Sequence, residues 1–280
     1  MTSPILVAPP LGSADDMSLS TMTSVGQFVR KTLAIVGMDL RKLRRDPSEL
    51  LTRAIQPALW LLVFGQVFTH ARAIPTGDLP YQDFMAPGIL AQSVLFIAIF
   101  FGIAVIWERD LGIVHKLLAT PTPRAALVLG KGLSAGVRAI SQAVIVYFLA
   151  WMLGIRLNWN PFAIAGVLLV VVLGAALFST FSLTIACLVK TRERFMGIGQ
   201  VLTMPMFFAS NAIYPIVMMP PWLKFIAHGN PLTYEVDALR ALMLANSHSE
   251  FGLGLDFGVL VGTTVLLTLI GAALYPRLAY

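Results

Sequence analysis

The chain has 280 residues, of which 57% are hydrophobic and only 12% charged, with a mean hydropathy of +0.80. A soluble domain of this length carries about twice that charge, so the composition excludes an ordinary soluble globular protein. The net charge of +6 sits in loops and span ends, where basic residues set topology and meet anionic head groups, so it is not a nucleic-acid footprint. One cysteine, Cys187, excludes a disulfide framework and a cysteine-based metal site, and is expected to be a small packing residue.

Residues 1–22 are rich in Ser, Thr and Pro and lack a basic stretch followed by an apolar core. They read as a disordered tail rather than a cleavable signal, leaving 23–280 as the membrane domain. Val25, Phe28, Val29, Val36, Leu40 and Leu43 then fall at helical spacing, with Arg30, Lys31, Asp39, Arg41, Lys42 and Arg44 on other faces. Such a basic amphipathic helix, Val25–Arg45, is expected to lie in the membrane interface until Asp46-Pro47 ends it.

Six apolar stretches follow: Ala54–Thr69, Phe84–Ile106, Ala139–Gly154, Pro161–Val189, Phe195–Met218 and Phe257–Pro276. Sixteen Lys and Arg lie before the first span, in the second and fourth connections and after the last span; four lie in the other connections. The positive-inside rule therefore predicts an all-α polytopic protein of six transmembrane helices with both termini cytoplasmic. The third helix is expected to start near Arg124, with Lys131 and Arg138 at the inner boundary. Gly132-x-x-x-Gly136 and Gly258-x-x-x-Gly262 allow close backbone approach.

No span carries an Asp or Glu near its centre, which argues against an ion relay. Gly130-Lys131-Gly132 is not a phosphate-binding loop: position 125 is Ala where the first Gly belongs, and position 132 is Gly where a Mg-ligating Ser or Thr is required. His70, His115, His228 and His248 form no catalytic or metal-binding pattern. No catalytic residue, metal site or cofactor is expected in this chain.

The polar connection 107–123 places Trp107, Leu111, Val114 and Leu118 on one helical face, with Glu108, Asp110 and Lys116 off that stripe. Pro121 and Pro123 stop the helix. A docking element and a plain interfacial helix both fit this pattern. Further on, Asn230 is placed to cap a helix with Pro231 at its first position, whose apolar stripe is Leu232, Val236, Leu239 and Met243. Leu232–Ala245 spans about 21 Å, short of the roughly 30 Å hydrocarbon core. It can dip in and return, but not cross.

Glu108-Arg109-Asp110-x-Gly112-x-x-x-x-Leu117-Leu118-x-Thr120-Pro121, followed by Leu129-Gly130-Lys131, resembles the intracellular-loop signature of ABC-2-type transport permeases. These include drug exporters of the daunorubicin-resistance type and exporters of polysaccharide and lipo-oligosaccharide. Pro221-Trp222-Leu223 and Asn230-Pro231-Leu232-Thr233-Tyr234-x-Val236-Asp237-Ala238-Leu239-Arg240 are similar to the family's last extracellular segment. The resemblance runs from about Val25 to the C-terminus.

The resemblance implies a connecting helix at Val25–Arg45 and a coupling helix at Glu108–Leu118, seated on an ATPase subunit. It makes Glu108, Arg109, Asp110, Gly112, Lys116, Leu117, Leu118, Thr120 and Pro121 the coupling residues. It implies short outer re-entrant helices within 219–245. Asn230, Pro231, Tyr234, Asp237 and Arg240 are expected to form an outer gate there. Two ATPase subunits binding ATP and Mg, and a second permease, identical or homologous, complete the exporter in the cell (inner) membrane, among lipids and without nucleic acid.

Met204, Phe207, Phe208 and Tyr214, near Met206, Met218 and Met219, are candidates for a lipophilic substrate pathway, although packing alone also explains them. An ion-coupled carrier and a membrane-embedded enzyme are the alternatives. Glu108 is expected to project from a cytosolic helix, so that its replacement uncouples transport and leaves the fold intact. Glu235, Asp237 and Arg240 are expected to face water or the partner subunit, with Asp237 and Arg240 paired at i,i+3.

Overall fold

The computed structural model describes residues 37, 55–71, 74–77, 79–114, 123–189, 191–245 and 247–276. The expected tail 1–22 and nearly all of the helix Val25–Arg45 lie outside the described residues, as do Lys116, Leu117, Leu118, Thr120 and Pro121.

Gly37 is helical, and from Ile55 helix passes through a π-helical turn, Trp60–Phe64, into α1, Gly65–Ala71. Then come α2, Tyr81–Asp110; α3, Arg124–Met152; α4, Pro161–Leu188; α5, Arg192–Phe208; α6, Pro221–Gly229; α7, Pro231–Met243; and α8, Leu253–Leu274. Local chemistry sets the starts. Pro80 and Pro123, both in extended backbone, precede α2 and α3. Asn160 and Asn230 accept from Phe162 N–H and Leu232 N–H ahead of Pro161 and Pro231, which fill the first helical position where no amide donor is needed. α3 starts at Arg124, as the sequence indicates.

Four helices among the described residues, α2, α3, α4 and α8, are long and apolar enough to cross a membrane. The chain is an all-helical, multi-pass membrane protein. The fifth stretch differs from expectation. Instead of Phe195–Met218, α5 ends at Phe208, about 26 Å of helix, and a 3-10 turn occupies Ile216–Met218. The reason is a side-chain cap: Asn230 Nδ2 donates to Met206 O at 2.7 Å and Ala209 O at 3.4 Å. These are carbonyls that a continuing helix would use.

At the centre of the bundle α4 packs on α2, α3, α7 and α8. Gly136 faces Val172 and Gly132 faces Ala176 and Thr180 at 3.0–3.5 Å from an ideal Cβ, so this small-residue pair brings α3 onto α4. Gly258 and Gly262 do not repeat the device: no atom of the described chain lies within 4 Å of a Cβ built on either. α8 turns that face outward, beside exposed Leu255, Val261 and Val265. Cys187 packs, buried, with Val105, Leu127 and Leu183.

Candidate functional site

One end of the bundle is built on the last turns of α2. Trp107–Asp110 are not part of a separate short helix: they continue α2, because nothing before Leu111 interrupts it. The break comes at Gly112, whose φ of +69° glycine adopts without cost. Trp107 and Leu111 are exposed and Val114 is buried, so the three do not form one free face.

Glu108 does not project into the cytosol. It is 9% exposed, and its Oε1 lies 2.8 Å from Lys131 Nζ of α3, itself 3% exposed. Glu108 follows Trp107 around the helix by about 100°, which turns it inward toward α3. The Lys131 ammonium and the Arg138 guanidinium also approach the Phe101 ring, at 5.9 and 5.4 Å.

Asp110 holds the other side. It pairs with Arg109 at 3.1 Å and with Arg192 of α5 at 2.7 Å, while Arg109 Nη1 donates to Val189 O at 3.4 Å. The Arg192 guanidinium lies 4.9 Å from the Trp107 ring centroid. Of the sequence-derived coupling residues, the structure therefore brings Glu108, Arg109 and Asp110 into one cluster joining α2, α3 and the α4–α5 junction. Lys131 and Arg192 complete it. A single sequence identifies neither as a partner, because residues 23 and 82 positions away are joined only by the packing.

At the opposite end α7 is a charged helix in an apolar place. Leu232, Val236, Leu239 and Met243 are all fully buried, as the stripe requires. Glu235 and Asp237 are also fully buried and Arg240 is 4% exposed. They face the chain's own interior, not water, because α7 is enclosed by α2, α4 and α8. The three charges point three ways. Glu235 abuts Gly174 at the middle of α4. Asp237 Oδ2 accepts from Ser249 Oγ at 2.7 Å and Phe251 N–H at 3.1 Å. Arg240 donates to Asn211 O at 2.7 Å and stacks on Phe84, 3.9 Å from the ring centroid.

The expected Asp237–Arg240 ion pair is therefore absent among the described residues; each finds a closer partner on a neighbouring element. Asn230 caps α7 and Tyr234 Oη donates to His228 O at 2.8 Å. The polar partners not evident in the sequence are Asp256, in the first turn of α8, and Ser249, which bridges it to Asp237.

The candidate pathway residues separate. Met204 lines a cavity of about 270 Å³ between α2 and α5, with Phe96, Phe100, Ile103 and Met196. Phe208 is half-exposed, and its carbonyl accepts from Tyr214 Oη. Phe207 is fully buried, edge-on to Trp60 at 6.0 Å; it is core, not an adaptable surface. No group of three or more His, Cys, Asp or Glu among the described residues is arranged to hold a metal.

Comparison with known proteins gives a match of residues 30–244 to the family model described as ABC-2 type transporter. A protein of Cyanophora paradoxa named as transport permease ycf38 is 30% identical over 230 residues, covering 80% of this chain and 77% of its own length. The daunorubicin resistance ABC transporter permease protein DrrB1 of Streptomyces coeruleorubidus is 24% identical over 266 residues, 93% of this chain and 92% of the relative. The inner membrane transport permease YadH of Escherichia coli strain K12 is 25% identical over 237 residues, 81% and 87% of the two chains.

Proposed function

Because the chain belongs to the ABC-2 type transporter family, whose members form membrane subunits of ABC transporters, we propose that it is the permease half of an ATP-driven exporter of lipophilic, drug-like or lipid-linked molecules. In this reading Ile55–Ala71 and α5 complete six spans with the four long helices. Both termini are cytoplasmic, on the side holding sixteen of the twenty basic residues. Two such chains, identical or homologous, pair in the cell (inner) membrane with two ATPase subunits. The ATPases bind ATP and Mg; this chain binds no cofactor and breaks no bond.

The observation that carries the reading is the cytoplasmic cluster. Glu108–Lys131 and Asp110–Arg192 fasten the end of α2 to α3 and α5, so a push on the connection after Asp110 is delivered to three helices together. The α2–α5 cavity, apolar and lined by Met204, suits a hydrophobic cargo. The test is co-purification of the chain with a separately encoded ATPase, followed by ATP-driven efflux from sealed vesicles. A complex that binds no ATPase overturns the reading.

One observation favours an ion-coupled carrier instead. The spans lack a central carboxylate, yet α7 inserts one: Glu235 reaches Gly174 at mid-helix in α4. A buried carboxyl at membrane depth is a common relay site. Transport by the isolated chain under an ion gradient, without nucleotide, would select this alternative.

A further inference from the structure

Two fully buried aspartates share one hydroxyl. Asp237 Oδ2 of α7 lies 2.7 Å and Asp256 Oδ2 of α8 lies 2.8 Å from Ser249 Oγ. The same oxygen receives Gly252 N–H at 2.6 Å. A serine hydroxyl has one proton to give and two lone pairs to accept with. One lone pair takes Gly252 N–H, and the hydroxyl proton goes to one aspartate. The remaining carboxyl-to-hydroxyl contact is a hydrogen bond only if that carboxyl carries a proton and donates it to Oγ. With both aspartates ionised, one short O···O contact would contain no proton, and two like charges would face each other out of water.

The surroundings give the same sign. Asp237 Oδ1 and Asp256 Oδ1 are buried without hydrogen-bond partners, as are both oxygens of Glu235. Among the described residues at this end, Arg240 is the buried cation beside three buried carboxyls. Ionising all three would leave uncompensated negative charge in the bundle.

We propose that Asp237, Ser249 and Asp256 form a one-proton site, and that the bound proton latches residues 247–252 across the outer end of the bundle. The latched segment is held at Ser249 and at Phe251, whose N–H bonds Asp237 and whose ring packs on Tyr234 at 5.1 Å and His228 at 5.6 Å. Ser247, His248 and Glu250 then form one wall of a cavity of about 570 Å³ that also touches Phe84 and Arg240. Loss of the proton replaces a hydrogen bond by a carboxylate–carboxylate repulsion across Oγ and releases that wall. The sign follows: the latch is closed while the site holds its proton and opens when that proton is lost.

The other charged groups facing this site are Glu235 and Arg240 of α7, His248 and Glu250 of the connecting segment, His228 of α6, and the Asp83–Arg156 pair between α2 and the α3–α4 connection. The proton site stands on its own geometry; its action as an outer gate rests on the exporter reading.

The test is cysteine accessibility, in the full chain reconstituted in nanodiscs, where both membrane faces are open to reagent. Cys187→Ser, Ser247→Cys is labelled with a maleimide from about pH 5.5 to about pH 8.5, with and without Asp256→Asn. The asparagine amide donates to Ser249 Oγ at every pH. Dividing by the Asp256→Asn rate at the same pH removes the intrinsic reactivity of the thiol. The expected ratio is near one at the acid end and rises, by at most about tenfold per pH unit, through the transition; Asp237→Asn serves as the denominator in the same way should Asp256→Asn fail to fold.

A ratio that stays at one overturns the proposal. So does a rise that disappears when His228 and His248 are replaced by Gln, and so does a ratio that changes with chelator or added divalent cation at fixed pH, which would assign the site to a metal. No nucleotide or substrate enters this measurement, so its failure is distinguishable from failure of the exporter reading.

Discussion

Removing the Glu108 carboxylate should destabilise the fold before it affects coupling. The pair is buried on both sides, with side chains 11% and 4% exposed, and the charges are 2.8 Å apart. At an effective dielectric near 20 the attraction is about 6 kcal/mol, offset by the cost of taking both ions out of water. Deleting one member keeps that cost for the other and loses the attraction, for a net loss of about 3–5 kcal/mol. With roughly 2–4 °C per kcal/mol for a chain of this size, Glu108→Gln and Lys131→Met should each lower Tm by about 6–20 °C.

The double variant should recover most of this, since an uncharged pair of similar volume is often neutral or stabilising. The assay is a thermal melt of detergent-solubilised protein followed by size-exclusion fluorescence, for the wild type, both single variants and the double. A coupling energy below about 0.5 kcal/mol, the range of additive sites, would refute the argument and return Glu108 to an exposed role.

Three other outcomes follow from the packing. Gly88→Ala places a Cβ within 2.8 Å of the Ala212 Cα and carbonyl carbon; backbone cannot yield as a side chain does, and a loss of about 1–3 kcal/mol is expected in the same melt. Gly258→Ala meets nothing within 4 Å and should be neutral or stabilising by up to about 1 kcal/mol. Asn230→Ala removes the α7 cap and the amide bonds to Met206 O and Ala209 O, for about 2–4 kcal/mol, whereas Asn230→Asp keeps the cap and should lose less. For the topology, a cysteine at Thr76 or Ser247 in a Cys187→Ser background should react with an impermeant reagent outside sealed cells, and one at Thr122 or Thr191 only after the membrane is opened; labelling at Thr122 in sealed cells inverts the orientation.

Much of the architecture was legible because it is written in local terms. Asn230-Pro231, the Leu232–Met243 stripe and the start of α3 at Arg124 are each set by spacing or capping within one helix, and the structure places all three as read. The errors share a different cause. Glu108 is expected to project from a cytosolic helix, and Asp237 and Arg240 to face water or the partner subunit, because burying an unpaired charge is costly. Their actual partners, Lys131, Ser249 and Asn211, lie 23, 12 and 29 residues away. The end of α5 depends likewise on Asn230, beyond the helix it terminates. Hydrophobic period reports which face is apolar; it is silent on which polar groups the fold will bring together.

The two charged ends are not mechanically separate, because α4 touches the supports of both. Toward the Glu108 end Ser182 Oγ donates to Ile99 O at 2.6 Å and accepts Gly102 N–H at 3.2 Å. Gly102 leaves no room for a Cβ between α2, Ser182 and Phe195 of α5, so α2 cannot slide along α4 without breaking a buried bond. Eight residues earlier along α4, Gly174 receives the Glu235 carboxyl, and Gly166 receives Leu242, so α4 and α7 are seated on each other as closely. A close-packed interface of this kind shifts between discrete arrangements rather than deforming gradually. Force applied to the end of α2 through the Glu108 and Asp110 pairs would therefore reach α7 as a displacement of α4. Enlarging Gly174 or Gly102 should interrupt it at known points: with both chains still folded, Gly174→Ala should spare the α2–α4 contact and disturb only the α7 end, whereas Gly102→Ala should disturb the Glu108 end first. Hydrogen exchange of α2 and α7 amides in the two variants distinguishes these outcomes, and identical exchange patterns would show that α4 does not link the ends.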